Sequence, residues 1–522
     1  MIGALIARKE KIAIGVILVI CIAMRLGLAF RTEHLLYTKY FQEDAFYMFN
    51  CAEQLARGNG FSVDGIHPTN GVQPLIVLLY APLFILSGFD KLLTLQLAFG
   101  YTATFDSLTI VFFVLLFSSM KKQKNVVEEK SVWYSPVVIL SLLWATLHPI
   151  FVHTVSGLET GLLSMFIVLS LYLYSRILKR RSLGQHIPIL QYLLLGIVLG
   201  LTVLSRIDSA IFVAMIALYE IYRCKTKGII SAAVISATAL AISLPWWYYN
   251  YTTFGSLIPQ SGQSESIDPE LIRNIGQTLG VVGDSFSIFF SVTKMIRINV
   301  LYYVAWFVAI SGFSYFVIRK WKVIDLIKRT YDAHALTPLM AASVILTVYY
   351  TFFFGAPHFI GRYLMPLRIV VLILAVMSMP VIVKDMMTSR GKQLILLVVC
   401  TAALLNSLLK YLPNYTTDGV SDFYLAGKWA LTIPNAKIGM CQSGTSGFIA
   451  PNVINLDGKV NYEALQARKD GGIGKFIVEK NLDYIADHRP LVEEIVSSAR
   501  SYGGHYQLVD SIQSVFVYKR NP

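Results

Sequence analysis

Long apolar runs separated by short basic or polar stretches fill the first 411 residues. A membrane-spanning helix needs about 20 mainly apolar residues, and residues 12–30 meet that length behind Arg8, Lys9 and Lys11. No small-residue cleavage site follows, and the run exceeds a signal-peptide core, so it reads as a retained helix with its N-terminus in the cytoplasm. From 31 to 71 the chain turns polar and mixed.

The next run, 72–88, is interrupted by Pro74, Pro82 and Gly88. Were it to span, the run 95–118 would carry Lys121, Lys122 and Lys124 to the wrong side of the membrane, because lysine and arginine collect on cytoplasmic loops. Residues 72–88 are therefore expected to lie on the surface or re-enter without crossing.

Every later run then agrees with its flanking charge. Helices 95–118, 160–177, 209–222, 299–318 and 364–383 run inward to basic loops, respectively at Lys121, at Lys179, Arg180 and Arg181, at Arg223, Lys225 and Lys227, at Arg319 to Arg329, and at Lys384, Arg390 and Lys392. Helices 134–152, 188–205, 229–249, 336–354 and 393–411 run outward. The pattern predicts a mainly α, polytopic membrane protein of about eleven spans, with its C-terminus outside, in the plasma (inner) membrane.

Residues 412–522 are less apolar. Short alternating runs at Ala436–Met440, Lys475–Val478 and Ser514–Tyr518 predict strands, and Asp487–Ser501 predicts an amphipathic helix closed by Gly503 and Gly504. The expected division is a transmembrane unit over 1–411, with juxtamembrane helices in a first extracytoplasmic loop over 31–94, and a small extracytoplasmic α/β domain over 412–522.

Composition agrees. The 522 residues are 55% hydrophobic and only 15% charged, against about 25% charged in a soluble domain, which excludes an ordinary soluble enzyme and a disordered chain. The net charge of +14 follows from the basic loops, so nucleic acid is not an expected partner; the lipid bilayer is. Five scattered cysteines offer no metal-like spacing, and Cys51 with Cys441 is the pair that could share an oxidising side.

Ionisable residues in a membrane protein are functional candidates by default, and here they gather at the extracytoplasmic helix ends. Glu43 and Asp44 follow the first run, Glu159 the third, and Arg206 and Asp208 the fifth; the loops after 249 and 354 add Gln260, Gln263, Lys294, Arg297, His358 and Arg362. Neighbouring acids on a helix point about 100° apart, so one of Glu43 and Asp44 can face a cavity while the other pairs elsewhere. The plainer reading is that either simply caps a helix beginning near Ala45. Arginine forks match phosphate oxygens, a carboxylate can accept a hydroxyl proton, and a lipid-phosphate leaving group needs no acid to expel it. His148 and His153 are expected to be ordinary interfacial residues, and Trp246 to Tyr249 an aromatic belt. Asn250-Tyr251-Thr252 and Asn414-Tyr415-Thr416 match the glycosylation pattern, which arises often by chance.

Ordered short motifs carry a family resemblance. Glu43-Asp44-Ala45-Phe46-Tyr47, Gly58-Asn59-Gly60-Phe61 and Thr69-Asn70-Gly71-Val72-Gln73-Pro74-Leu75 occupy the first loop. Gly157-Leu158-Glu159-Thr160, Ser205-Arg206-Ile207-Asp208, Pro245-Trp246-Trp247, Phe254 to Pro259, Arg362-Tyr363 and Asn455-Leu456-Asp457-Gly458-Lys459-Val460-Asn461 follow. Together they resemble bacterial members of the GT-C glycosyltransferase superfamily, over most of the chain. The resemblance implies a GT-C fold and inverting transfer of a sugar from a polyprenyl-phosphate donor to a hydroxyl of a cell-envelope or lipid-linked glycan acceptor. It implies a catalytic base at Asp44 or Glu43, where the family more usually has two aspartates; Asp44 is preferred. Glu159 matches a second acid that orients the acceptor, the sugar or a metal. Arg362, Arg206 and His358 would face the donor phosphate. Asn70, Gln73, Asp208, Gln260, Asp457 and Asn461 are the further substrate-binding candidates, although Asp208 could only neutralise Arg206, and Asp457 and Asn461 could only build a turn. No cofactor is firmly implied; acids at 43, 44 and 159 could hold Mg2+ or Mn2+ through oxygen. The alternatives are a transporter or flippase of lipid-linked sugars, and a glycan polymerase or ligase using a pyrophosphate-linked donor.

Overall fold

The structure is a computed structural model that describes residues 8–121, 135–267, 271–287, 300–394, 398, 401, 405 and 421–521. Among them, six helices are long and apolar enough to cross a membrane: Arg8–Ala29, Lys91–Met120, Thr160–Ser182, Thr226–Phe254, Ala333–Phe352 and Met365–Met386. Pro136–Thr146 and His148–Thr154, bent by 58°, make a seventh if they form one span. The expected spans 188–205, 209–222 and 299–318 coincide with helices Ile189–Ser205, Ala210–Cys224 and Val300–Lys320. The first two have 17 and 15 residues, short of the usual crossing length of about 20. The eleventh, 393–411, lies largely outside the described residues, as do Lys122, Lys124, Lys294, Arg297, Cys400 and Asn414.

Local chemistry sets the helix ends. Asp90 opens the helix Lys91–Met120 by accepting from the Leu93 N–H at 2.9 Å, which satisfies one orphan donor of the first turn. Pro74, Pro136, Pro338 and Pro366 stand in first turns, where the N–H they lack would have no helical partner. The helix Pro74–Leu86 has 13 residues, about 20 Å at 1.5 Å per residue, too short to cross, as the charge pattern requires of 72–88.

The 58° bend has an identifiable cause. Pro149 has no N–H to give to the Ala145 carbonyl four residues earlier, and Arg25 donates to that oxygen instead at 2.8 Å. The same guanidinium pairs with Asp106 at 2.7 Å, both side chains being fully buried. Trp144 Nε1 and the Thr154 hydroxyl also donate to Asp106, at 3.1 and 2.7 Å. Two charges so deep are tolerated only when they are paired and hydrogen-bonded in this way. The pair was not recognised in the sequence, and it fixes the segment that leads to Glu159.

The basic helix ends meet one another. Lys121 bridges to Tyr331, Arg181 pairs with Glu220 at 2.8 Å, and Trp321 donates to Asp385 at 3.1 Å. The helices joining these ends to Glu159, Arg206 and Arg362 carry those three residues to the opposite end.

Residues 421–521 form the small sheet unit. Its strands are β1 (Ile438–Met440), β2 (Val453–Asn455), β3 (Tyr484–His488), β4 (Tyr506–Ile512) and β5 (Val515–Arg520), in the order β2-β1-β3-β5-β4. The first three are parallel, and β5 is antiparallel to both β3 and β4. The expected strands at 436–440 and 514–518 correspond to β1 and β5, and the expected helix is Arg489–Arg500. Lys475–Val478 is corrected: it belongs to the helix Ile473–Glu479, which buries Gly474, Phe476 and Ile477, and the 474/477 spacing suits a helical face.

The sheet unit packs on the first loop. Phe448 inserts among Tyr37, Phe46 and Phe49 of that loop, with ring centroids 5.5–6.1 Å apart, and these rings share one core with Tyr80, Phe84 and Val460. Cys21, Cys51, Cys224 and Cys441 are free thiols, so the Cys51–Cys441 pairing is not made.

Candidate functional site

Asp44 immediately precedes the helix Ala45–Ala56, but its side chain makes no capping hydrogen bond. The capping interpretation of this acid therefore fails. Its two oxygens face cations, Arg362 Nη2 at 3.4 Å and Lys459 Nζ at 3.4 Å. Glu43 turns the other way and accepts from the Gly444 N–H of the sheet unit, as the angular separation of adjacent residues requires.

These surroundings separate the two acids electrostatically. Burial works to raise the Asp44 carboxyl, but Lys459 and Arg362 outweigh it and hold Asp44 below the ordinary carboxylate value. Burial, reinforced by the neighbouring Asp44, pushes Glu43 well above that value. Asp44 is thus the ionised member of the pair.

The remaining charges connect to Asp44 through Tyr363. Arg362 donates to the Tyr363 hydroxyl at 3.2 Å, and the Arg206 guanidinium carbon lies 4.0 Å from the centre of the same ring. Arg206 pairs with Glu159 at 3.3 Å and with Asp208 at 2.8 Å, and donates to the Tyr350 hydroxyl at 3.1 Å. Asp208 does neutralise Arg206, and it does so within the same cluster. Gly157 permits this placement of Glu159: its φ is +77°, and a Cβ there would come within 2.5 Å of Phe41, so only glycine fits. The Arg362 Nε, fully buried, finds no acceptor among the described residues.

Lys459 and Glu265 were missed as site residues. The turn Asp457-Gly458-Lys459 is tied by Asp457 Oδ1, which accepts from the Lys459 N–H at 2.8 Å, and by Asn455, which accepts from the Gly458 N–H at 3.0 Å. It delivers the Lys459 ammonium to Glu265 at 2.9 Å, Asp44 at 3.4 Å and Asp457 at 3.8 Å. Asp457 therefore serves both the turn and the cluster. Gly71 lets the first loop approach this turn, because a Cβ on it would stand 1.6 Å from the Lys459 carbonyl oxygen.

His358 borders the cluster. Its ring is solvent-accessible but set deep among protein groups, and that partial burial, followed by the Lys459 charge, pushes its pKa down to about 4. It is neutral at physiological pH.

The other sequence candidates support the walls. Asn70 accepts from the Gln260 N–H at 2.9 Å, and Thr69 donates to the Gln260 side chain at 2.9 Å, all three being buried. Gln73 precedes the helix Pro74–Leu86 without capping it. Asn461 caps the helix Tyr462–Lys469 and donates to the Asn455 carbonyl; its side chain is engaged there, away from the charged cluster. Of the residues expected to form an aromatic belt, Tyr248 is exposed, Trp246 packs at a tilt against Phe61 with ring centroids 5.0 Å apart, and Tyr249 donates to the Thr69 carbonyl. Asn250 is fully buried and so is no glycan acceptor.

The acids named as Mg2+ or Mn2+ ligands do not fit one as arranged. Glu43 binds a backbone N–H, Asp44 faces two protein cations and Glu159 faces a third. Among the described residues, no group of three or more His, Cys, Asp or Glu side chains is placed to hold a metal.

No protein-family model and no curated protein matches the sequence. Among the solved structures that match its fold are two from one archaeon. One is the oligosaccharyltransferase of Archaeoglobus fulgidus tethered with an acceptor peptide containing the NVT sequon, at 14% identity and a TM-score of 0.53, covering 98% of this chain and 74% of that one. The other is the archaeal oligosaccharyltransferase AglB of the same organism in complex with an inhibitory peptide and a dolichol-phosphate, at 12% identity and a TM-score of 0.50, with the same two coverages. The chain is a multi-pass membrane protein with a GT-C fold, as the sequence motifs led one to expect.

Proposed function

We propose that this chain is an integral membrane glycosyltransferase that passes a sugar from a polyprenyl-phosphate donor to a hydroxyl of a cell-envelope or lipid-linked glycan. Residues 1–411 would form the catalytic membrane unit and 412–522 an extracytoplasmic domain, with the site at the extracytoplasmic face of the plasma membrane. The observation that carries the reading is the ionised Asp44 carboxylate set directly against Arg362, beside Arg206.

In that reaction the acceptor hydroxyl gives its proton to Asp44 as its oxygen bonds to the anomeric carbon. The bond from that carbon to the phosphate oxygen breaks, and its electron pair leaves with the phosphate. Attack from the face opposite the phosphate inverts the anomeric centre. Arg362, whose buried Nε has a donor to spare, and Arg206 stabilise the charge gathering on the phosphate. Glu159 and Asp208 hold Arg206 in place, and Asn70 and Gln260 keep the first loop against the later one. The dolichol-phosphate bound by AglB is consistent with a lipid-phosphate headgroup in this fold.

A transporter of lipid-linked sugars is the competing class. Transporters place charged groups and broken helices near mid-membrane, whereas here they cluster at helix ends. Purified protein in vesicles, given radiolabelled polyprenyl-phosphate sugar and an envelope-lipid acceptor pool, separates the two. Transfer gives the label a new covalent partner; transport moves it across the bilayer still attached to the lipid phosphate.

A further inference from the structure

Lys459 is the only protein cation within 4 Å of Glu265 and Asp457 among the described residues, and it shares Asp44 with Arg362. The three carboxylates come from three distant parts of the chain: the first loop, the segment after the helix Gln260–Ser264, and the sheet unit. Their side chains are each only 11–13% exposed, so without a cation among them their mutual repulsion would be poorly screened by water. The Phe359 ring, 5.1 Å from the ammonium, adds an aromatic face. The backbone leaves Lys459 little freedom, since its carbonyl is pressed against Gly71 and its N–H is held by Asp457.

We infer that Lys459 is a positioning residue: the sheet unit inserts it as a tethered cation on which Asp44, Glu265 and Asp457 converge, in a place that a divalent ion can take only when the lysine is removed. The site is then incomplete without the sheet unit, and the orientation of Asp44 depends on a residue more than 400 positions away. The inference does not rest on glycosyl transfer, because its test reads ion binding. An ammonium and a small divalent ion both seek several oxygen neighbours, and carboxylates freed of the first can close to the 2.0–2.6 Å that the second requires.

The test is Mn2+ titration, followed by electron paramagnetic resonance, of detergent-purified wild type, Lys459→Met and Lys459→Met/Asp44→Asn. Lys459→Met should bind one Mn2+ at least tenfold more tightly than wild type, should regain thermal stability when Mn2+ is added, and should lose both gains with Asp44→Asn. Lys459→Arg should behave as wild type. Should Lys459→Met not fold, Lys459→Met/Glu265→Gln, with one fewer uncompensated charge, takes its place and should bind Mn2+ more tightly than Glu265→Gln alone. Mn2+ binding at the wild-type level in the lysine-free chain, or a gained ion that survives Asp44→Asn, overturns the inference.

Discussion

Oδ2 of Asp44 lies 3.4 Å from Nη2 of Arg362, although 318 residues separate them in the chain. One belongs to the loop after the first membrane helix, the other to the short turn before the helix Met365–Met386. Their meeting sets a buried carboxylate against a buried guanidinium at the centre of the candidate site.

The neighbouring acid should be dispensable for chemistry. Burial, reinforced by Asp44, pushes the Glu43 carboxyl well above the ordinary carboxylate range, and its oxygen accepts the Gly444 N–H. Glu43→Gln keeps the size and the acceptor, so transfer assays with radiolabelled donor should find its rate within about threefold of wild type, far from the loss of 10²–10⁴ that removal of a general base brings. A hundredfold loss would move the base to Glu43.

The fork at position 362 should matter beyond its charge. Arg362→Lys keeps a cation but gives up the planar donors that reach Gln42, Asp44 and Tyr363 together. The donor KM should rise on the order of tenfold, since lysine does not replace a bidentate arginine. Initial-rate measurements against donor concentration check this, and an unchanged KM contradicts it.

Gly71→Ala should loosen the contact between the first loop and the sheet unit. The added methyl would meet the Lys459 carbonyl oxygen, a backbone atom that cannot rotate away. Overpacking of this kind costs about 1–3 kcal/mol, and a thermal melt in detergent should show it. Gly58→Ala, where a Cβ meets nothing within 4 Å but φ is +87°, is the comparison for backbone strain alone.

His358 gives stability a pH dependence of known sign. Its folded pKa of about 4 lies below its ordinary 6.5, so the unfolded chain binds the proton more readily. Its contribution is complete above pH 6.5 and is lost as the pH falls towards 4. The melting temperature of wild type should therefore drop more steeply over that window than that of His358→Gln. Parallel curves would remove His358 from the cationic neighbourhood of Lys459.

Much of this was legible in the sequence because its cause is local. Basic stretches at Lys179 to Arg181 and at Lys384 to Lys392 marked where two long apolar helices end, and the interrupted run at Pro74 to Leu86 forms a helix of only 13 residues. Asp44, Glu159, Arg206 and Arg362 were visible because ionisable groups are costly beside a membrane. Lys459 was not, for the opposite reason: in a polar segment a lysine looks like any solvated surface charge, and only the turn at Gly458 and the contact with Gly71 turn it inward. Glu265 was hidden in the same way, in a loop rich in serine and glutamine. The Arg25–Asp106 pair lay inside two apolar runs, where neither residue alone announces a partner. Lys475–Val478 was misread because four residues are too few to tell a period of 2 from one of 3.6.

The account's central claim is that Asp44 takes the acceptor proton, and a single-turnover comparison of wild type with Asp44→Asn tests it most directly. With radiolabelled polyprenyl-phosphate sugar bound to saturation, transfer in the variant should be at least about 100-fold slower while donor binding stays within a few-fold of wild type. Transfer at the wild-type rate in Asp44→Asn would contradict the claim.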